Sequence, residues 1–234
     1  MEIHALFDGL AWVTAALVVV ALRRRFGELF PREAGRRSTG YLAAVLIGAA
    51  LGAYGLGTLN TWLAGQGGLA RSIEGALAGA IVAVELYKWR MGIKGRTAAL
   101  YALPVALGIA VGRVGCYLSG MDDFTYGTPT DLPWGHDFGD GVLRHPVQLY
   151  ESGAMVLFAL AYGVALWRRR RWVIDNGFTL VVLYYGVVRF GLEGLKPYPD
   201  VVAGLTVFQI VCLGLVGYAL ILLRPKRLPD ARHA

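Results

Sequence analysis

The sequence predicts an all-α integral membrane protein with seven transmembrane helices, an external N-terminus and a cytoplasmic C-terminus. Composition is the first reason, because 56% of the 234 residues are hydrophobic and the mean hydropathy is +0.51. Segment length is the second, because a helix needs roughly 20 apolar residues to cross a hydrocarbon core of about 30 Å. The third is the placement of positive charge between apolar segments. We place the spans near residues 5–22, 41–63, 72–89, 97–118, 147–167, 176–194 and 204–223.

Basic residues set the predicted orientation. Eighteen of the 23 Lys and Arg residues lie in four clusters, Arg23 to Arg37, Lys88 to Arg96, Arg168 to Arg171 and Arg224 to Arg232. Each cluster lies where an apolar segment would leave the membrane on its cytoplasmic face. The net charge of +7 therefore reflects topology, and we expect no nucleic-acid partner. Some of these side chains would also attract anionic membrane lipids.

The chain is predicted to be one domain, residues 1–234, with an external cap loop at about 119–146. Prolines in this loop are interleaved with tryptophan, tyrosine and phenylalanine, which favours an ordered cap at the membrane surface over a disordered linker. The first span is not expected to be a cleaved signal peptide. Its N-terminal flank carries Glu2, His4 and Asp8 rather than positive charge, and a run of arginines follows its apolar part at 23–25.

Metal and disulfide chemistry are not predicted. Two histidines in the cap loop, His136 and His145, do not make the three- or four-ligand pattern of a zinc site. Two cysteines, Cys116 and Cys212, both fall in apolar spans and are too few for a disulfide framework. We therefore expect no metal. The sequence also has no Gly-rich phosphate loop and no dinucleotide-binding motif, so we expect no soluble cofactor.

Five cations fall outside the four basic clusters, namely Arg71, Arg113, Arg144, Arg189 and Lys196. A charge inside a span is costly and normally faces a cavity or a partner charge. Arg113 lies in the outer half of the fourth predicted span, and Arg189 in the middle or outer half of the sixth. Arginine pairs bidentately with phosphate oxygens, so both residues are candidates for binding an anionic headgroup.

Structural explanations compete with these functional ones. Glu193 follows Arg189 by four residues, so the two side chains share a helix face and could simply pair with each other. Glu74 lies three residues after Arg71 at the external entry to the third span. It either pairs with Arg71 or faces a cavity, where it would be a usable general base.

Four motifs point to a family. They are residues 112–120 (GRVGCYLSG), 126–135 (YGTPTDLPWG), 144–151 (RHPVQLYE) and 185–190 (YGVVRF). Together with the seven-span topology, they resemble the bacterial phosphatidylglycerol–prolipoprotein diacylglyceryl transferases. The resemblance is specific from about residue 112 to residue 209, roughly 40% of the chain.

The resemblance implies an enzyme of the bacterial cytoplasmic membrane. Members of the family move a diacylglyceryl group from phosphatidylglycerol to the lipobox cysteine thiol of a prolipoprotein and release glycerol phosphate. Arg113 would then hold the headgroup, and Arg189 would stabilise the leaving phosphate with Glu193 orienting it. The residues that would shape the substrate site are Gly127, Arg144, His145, Tyr150 and Tyr185.

The chain departs from the family pattern on the acceptor side. Cys116 stands where the family motif has asparagine, and Glu74 replaces the histidine of a His-Gly-Gly signature. Glu74 would then take the place of that histidine as general base. Two other functions therefore stay open. One is a paralogue of the same fold that transfers a glyceryl or lipid group to another nucleophile. The other is a non-catalytic phospholipid-binding protein.

Overall fold

The computed structural model describes residues 2–30, 39–95 and 98–223. A long helix occupies each of the seven predicted spans in this part of the chain. The helices are α1 (Glu2–Phe26), α2 (Thr39–Leu63), α3 (Ile73–Arg90), α4 (Ala102–Leu118), α5 (Val147–Trp167), the short α6 (Arg171–Asp175), α7 (Gly177–Glu193) and α8 (Val207–Leu223). The basic residues at positions 32, 36, 37 and 96 and those of the cluster Arg224 to Arg232 lie outside the described residues.

Four helical segments of the described chain are long and apolar enough to cross a membrane. They are Ile3–Leu29, Thr39–Leu63, Ala99–Leu118 and Val147–Trp167. α8 is equally apolar but has 17 residues, α7 has the same length, and α3 carries four charged side chains. The apolar helices confirm the prediction of an all-α membrane protein.

The bundle is centred on α4, α5 and α7, which contact one another pairwise. α1 packs against α4, α8 packs against α7, and α2 packs against α3. Ala106 of α4, Met155 of α5 and Val181 of α7 are fully buried in the resulting core. α1 and α2 are peripheral. Only 6% of the most apolar 18-residue stretch of α1, and 11% of that of α2, is buried inside the protein. Their exposed apolar surfaces suit contact with lipid.

Glycines bring α2 and α3 into close contact. A Cβ atom on Gly52 would overlap the carbonyl oxygen of Gly75, and a Cβ atom on Gly79 would overlap that of Gly48. Small residues four apart allow such an approach of two backbones, as is common between helices in lipid. The contact fixes the start of α3, which Ser72 caps by accepting a hydrogen bond from the Gly75 amide at 3.1 Å.

The cap loop carries short regular elements. A single 3-10 turn (Gly120–Asp123) follows α4, and β1 (His136–Asp137) pairs antiparallel with β2 (Leu143–Arg144). A second antiparallel pair, β3 (Asp200–Val202) and β4 (Leu205–Thr206), connects α7 to α8. The cap therefore rests on the same ends of α4, α5 and α7 from which its chain segments emerge.

Candidate functional site

Arg189 of α7 is the centre of a buried group of charged side chains. Its Nη1 lies 2.7 Å from Glu193 Oε2 and 3.9 Å from Glu151 Oε2. Its Nε donates a hydrogen bond to Glu74 Oε2 at 3.2 Å. Arg113 of α4 shares Glu151, with its Nε 2.8 Å from Oε1. The five side chains are at most 6% exposed, and we call them the charged cluster.

The members of the charged cluster meet because they lie at matching ends of four helices. Arg113 and Arg189 lie near the C-terminal ends of α4 and α7. Glu74 and Glu151 lie near the N-terminal ends of α3 and α5. Of these four, Glu74 lies in the first turn of its helix, where the helix dipole favours a negative charge. Glu193 has the unfavourable sign for its end of α7, and its pairing with Arg189 compensates.

Cys212 of α8 and Thr206, the residue just before α8, form hydrogen bonds with two carboxylates of the charged cluster. Cys212 Sγ donates to Glu74 Oε1 at 3.3 Å, and Thr206 Oγ1 donates to Glu193 Oε1 at 3.1 Å. Thr206 also caps α8, because its Oγ1 accepts from the Gln209 amide at 3.2 Å. Gln209 Oε1 accepts in return from the Thr206 amide at 3.1 Å, which makes a capping box. The start of α8 is therefore fixed relative to Glu193.

Lys196 is a further buried cation next to the charged cluster. Two arginines and three glutamates leave the cluster one positive charge short when all five are ionised, and a protonated Lys196 would balance it. The residue is 5% exposed, and its Nζ has no hydrogen-bond partner among residues 2–30, 39–95 and 98–223. Burial lowers the pKa of Lys196 to about 7, and the positive charges of Arg189 and Arg113 act in the same direction.

One predicted pairing is confirmed and another is wrong. Arg189 and Glu193 pair as their spacing indicates. Arg71 does not pair with Glu74, because its Nη1 lies 2.9 Å from Asp8 Oδ2 of α1. Arg71 lies just before Ser72, the N-cap residue of α3, and its side chain is 45% exposed. Glu74 is fully buried and turned towards Arg189. Spacing along the chain could not anticipate that Asp8 of α1 reaches Arg71.

A second group of side chains lies beside the cluster, and we call it the α1 mouth. It comprises His4, Asp8, Arg71 and Cys116. His4 Nε2 lies 3.9 Å from Cys116 Sγ and 3.6 Å from Asp8 Oδ1. Arg113 Nη1 lies 3.8 Å from the same sulfur, so Cys116 joins the mouth to the cluster. His4 and Asp8 are 20% and 35% exposed.

Three of the predicted substrate-site residues lie in or beside the cap. His145 Nδ1 lies 3.4 Å from Tyr150 Oη, which accepts a hydrogen bond from Trp134 Nε1 at 2.8 Å. Gly127 is needed where the chain passes His145, because a Cβ atom there would overlap the His145 carbonyl oxygen. These contacts make Gly127, His145 and Tyr150 neighbours in one wall.

Arg144 is engaged within the cap. Its Nη2 lies 2.6 Å from Asp140 Oδ2, and its guanidinium stacks 5.1 Å from the ring centre of Tyr126. The hydrogen bonds from Arg144 lower the pKa of the Asp140 carboxyl. Tyr185 lies instead at the charged cluster, where it interacts electrostatically with Glu151 and Arg113. It is fully buried, and its hydroxyl has no hydrogen-bond partner in the described part of the chain.

The structure thus brings Arg113, Arg189, Glu74, Glu193 and Tyr185 together and leaves the other predicted site residues in the cap. Sequence reasoning assigned no site role to three neighbours of the site, namely Glu151, Lys196 and His4. Glu151 was identifiable as an acid inside an apolar span, and Lys196 as a cation outside the basic clusters. His4 carried no such feature, because only the crossing of α1 and α4 brings it to Cys116.

Comparison with known proteins gives a consistent result. The family model described as prolipoprotein diacylglyceryl transferase matches residues 9–224. A Methylococcus capsulatus (strain Bath) protein named phosphatidylglycerol–prolipoprotein diacylglyceryl transferase is 36% identical over 68% of this chain and 61% of its own length. A protein of the same name from Nitratidesulfovibrio vulgaris (strain Hildenborough) is 34% identical over 87% of this chain and 82% of its own.

A third protein of that name, from Bordetella parapertussis (strain 12822), is 34% identical over 64% of this chain and 58% of its own length. This chain thus spans about three fifths of two of these three relatives. No solved structure matches it significantly. The family resemblance predicted from the motifs is confirmed, and the chain belongs to the prolipoprotein diacylglyceryl transferase family.

Proposed function

We propose that this chain is a multi-pass enzyme of the bacterial cytoplasmic membrane. It transfers a diacylglyceryl group from phosphatidylglycerol to the lipobox cysteine thiol in the signal peptide of a prolipoprotein. Membership of the family and the names of the relatives support this activity. The observation that carries it is the charged cluster, in which two arginines lie buried within a bundle of apolar helices.

The proposed topology has seven spans in a single domain, with the N-terminus outside and the C-terminus in the cytoplasm. Basic residues in the last turn of α1 and of α3 and those following α5 support it, because these ends would all face the cytoplasm. The charged cluster and the cap lie at the opposite ends. Single cysteines introduced at either end and labelled with a membrane-impermeant reagent would test the orientation.

In the proposed reaction, the acceptor thiolate attacks the glyceryl carbon that bears the phosphate. A C–S bond forms, the C–O bond breaks, and its electron pair leaves with the phosphate oxygen. The phosphodiester carries one negative charge and the released glycerol phosphate gains another, so cations near the oxygen stabilise the transition state more than the ground state. Arg113 and Arg189 are the proposed phosphate ligands.

The carboxylates of the cluster hold the arginines in position. Glu193 and Glu151 flank Arg189, and Glu151 also holds Arg113. Glu74 accepts hydrogen bonds from Arg189 and from Cys212, so both of its oxygens are engaged. Its role as general base stays a prediction, and these contacts favour a positioning role instead.

The thiol proton needs an acceptor that the second substrate can reach. His4 meets that requirement, because it is partly exposed and lies at Cys116, next to Arg113. Neutral imidazole is a suitable base near neutral pH. We assign the base role to His4, with Asp8 holding its ring. Cys116 is not a nucleophile in turnover, because a thioether formed on it would be a poor leaving group.

The cap residues form the proposed rim of the substrate site. Gly127 and His145 of the cap and Tyr150 in the first turn of α5 form one wall, and Arg144 braces the hairpin through Asp140. The Tyr185 hydroxyl, which has no hydrogen-bond partner among residues 2–30, 39–95 and 98–223, could contact a donor or acceptor oxygen. Membrane lipids would surround the apolar faces of α1 and α2.

Product analysis tests the proposal. Purified protein is incubated with phosphatidylglycerol and a lipobox peptide, and mass spectrometry follows both products. We expect a diacylglyceryl thioether on the peptide cysteine and an equal amount of glycerol phosphate. Glycerol phosphate without a modified peptide would indicate a different acceptor. Bound phosphatidylglycerol without either product would indicate a non-catalytic lipid-binding protein.

A further inference from the structure

Lys196 is held in place by its backbone from two sides. It lies in the segment between α7 and β3, where its amide donates to the Glu193 carbonyl at 3.0 Å. The carbonyl of the preceding residue, Leu195, accepts from the Thr128 amide of the cap at 2.7 Å. Tyr198, two residues later, donates from its hydroxyl to the Phe124 carbonyl at 2.7 Å. The side chain of Lys196 is therefore positioned by both the bundle and the cap.

The ammonium group of Lys196 is buried without a hydrogen-bond acceptor in the described part of the chain. It lies 5.4 Å from the ring centre of Tyr198, which is a weaker contact than an ion pair. Lys88, by contrast, is a buried lysine paired in the usual way with a carboxylate. Its Nζ lies 2.9 Å and 3.1 Å from the two oxygens of Glu85. Leaving a buried donor unpaired is costly, so the position of Lys196 suits a ligand that brings the acceptor.

Charged groups from three helices surround this ammonium. Arg113 of α4, Glu151 of α5, and Arg189 and Glu193 of α7 all interact with it electrostatically. Both arginines already face carboxylates, whereas the three N–H donors of Lys196 are uncommitted among the described residues. An anion with several oxygens, such as a phosphate group, would complete the hydrogen bonding of Lys196.

We infer that Lys196 binds the phosphate of the phospholipid donor and takes up a proton when the donor arrives. The inference rests on the proposed function, since the donor is phosphatidylglycerol. In the empty site, burial and the two arginines hold the pKa of Lys196 at about 7, so near neutrality a large share of the molecules carry a neutral amine. A bound phosphate favours the protonated form, because an adjacent negative charge offsets the cost of burial.

The consequence is a donor affinity that depends on pH. As the pH rises above about 7, the empty site loses its proton and each donor molecule must bind together with one proton from solvent. The KM for phosphatidylglycerol would then rise by up to about tenfold per pH unit. Arginine at this position would remain charged throughout and remove the dependence.

The test compares wild type, Lys196→Arg and Lys196→Met in mixed micelles between pH 6.5 and pH 8.5. We expect the wild-type KM for phosphatidylglycerol to rise by at least about tenfold across this range. Lys196→Arg should show a low KM that is independent of pH, and Lys196→Met a high one that is also independent. Lys88→Met is the matched control and should keep the wild-type profile. A wild-type pH profile in Lys196→Arg, or a wild-type KM in Lys196→Met, overturns the inference.

Direct binding separates this inference from the proposed function. Native mass spectrometry at the same pH values measures bound phosphatidylglycerol without any turnover. Donor binding that weakens with pH in wild type but not in Lys196→Arg supports the inference even when no thioether is formed. Thioether formation with pH-independent donor binding overturns it and leaves the function standing. Competition by inorganic phosphate alone, with no effect of Lys196→Arg on lipid binding, would assign the site to free phosphate and also overturn it.

Discussion

The charged cluster and the α1 mouth lie side by side, yet they are built differently. The cluster is at most 6% exposed, and the shortest contact of each of its arginines with a carboxylate is 2.7 to 2.8 Å. The mouth is 20% to 45% exposed outside Cys116. His4 Nε2 lies 3.6 Å from Asp8 Oδ1 and 3.9 Å from Cys116 Sγ, and Arg71 pairs with Asp8 at 2.9 Å. In the proposed function, the donor side would be arranged before any substrate binds, and the more exposed α1 mouth would leave room for a peptide.

The two residues that the motif resemblance predicts to depart from the family pattern fall one on each side. Glu74 belongs to the cluster, where it neutralises part of the charge of Arg189. Cys116 belongs to the mouth, between His4 and Arg113. The comparison therefore predicts large effects of changes in the cluster and graded, acceptor-dependent effects of changes in the mouth.

Arg189→Ala should have the largest effect. It would leave Glu74, Glu151 and Glu193 buried without their shared cation, which costs about 3–5 kcal/mol of stability. Transfer activity should fall by about 10²-fold or more through the lost stabilisation of the phosphate. Thermal unfolding in detergent and the transfer assay measure the two effects. Arg169→Ala, which removes an exposed partner of Glu28, is the control. Unchanged stability would contradict the cluster as described.

Gly52→Val should have the next largest effect, because it pushes α2 away from α3 and with it shifts Glu74. Overpacking of this kind costs about 1–3 kcal/mol or more. Gly55→Val on the same helix is the matched control, since a Cβ atom at Gly55 meets nothing within 4 Å. A lower unfolding temperature for Gly52→Val alone is expected. If Gly52→Val and Gly55→Val lowered the unfolding temperature equally, the close contact of α2 with α3 would not contribute to stability as described.

His4→Gln tests the mouth. It removes the proposed base without an effect on the buried cluster, so kcat should fall by about 10² to 10⁴ while the affinity for phosphatidylglycerol is kept. Raising the pH should partly restore the rate, because more of the acceptor thiol ionises by itself. Glu74→Gln is the comparison, and we expect it to keep more activity than His4→Gln. The reverse order would return the base role to Glu74.

Asp140→Asn should have the smallest effect, because the pair with Arg144 lies in the exposed part of the cap. The pKa of Asp140 is lowered in the folded protein, so its contribution to stability is present above the ordinary value of 3.8 and is lost as the pH falls through the folded value. Unfolding temperatures of wild type and Asp140→Asn should differ slightly at pH 7 and converge at strongly acidic pH. A difference that persists in acid would assign the effect to something other than this ion pair.

The positions of the helices and of the buried arginines were predictable from the sequence, whereas most of the side chains that contact these charges were not. Apolar length located each long helix, and the cost of a charge in lipid singled out Arg113 and Arg189. Spacing of four residues predicted the pairing of Arg189 with Glu193. The partners of Arg71 and Glu74 come from other helices, so spacing along the chain held no information about them. The same limit applies to His4, which reaches Cys116 through helix packing alone.

The measurement closest to the central claim is the release of glycerol phosphate by Arg113→Ala in a single turnover with phosphatidylglycerol and a lipobox peptide. If the charged cluster is the donor site, the variant should release about 10²-fold less glycerol phosphate than wild type when equal amounts of folded protein are compared, with matching loss of the thioether. Arg169→Ala should release the wild-type amount. Wild-type release by Arg113→Ala would contradict the assignment of the cluster as the place where the phosphate leaves.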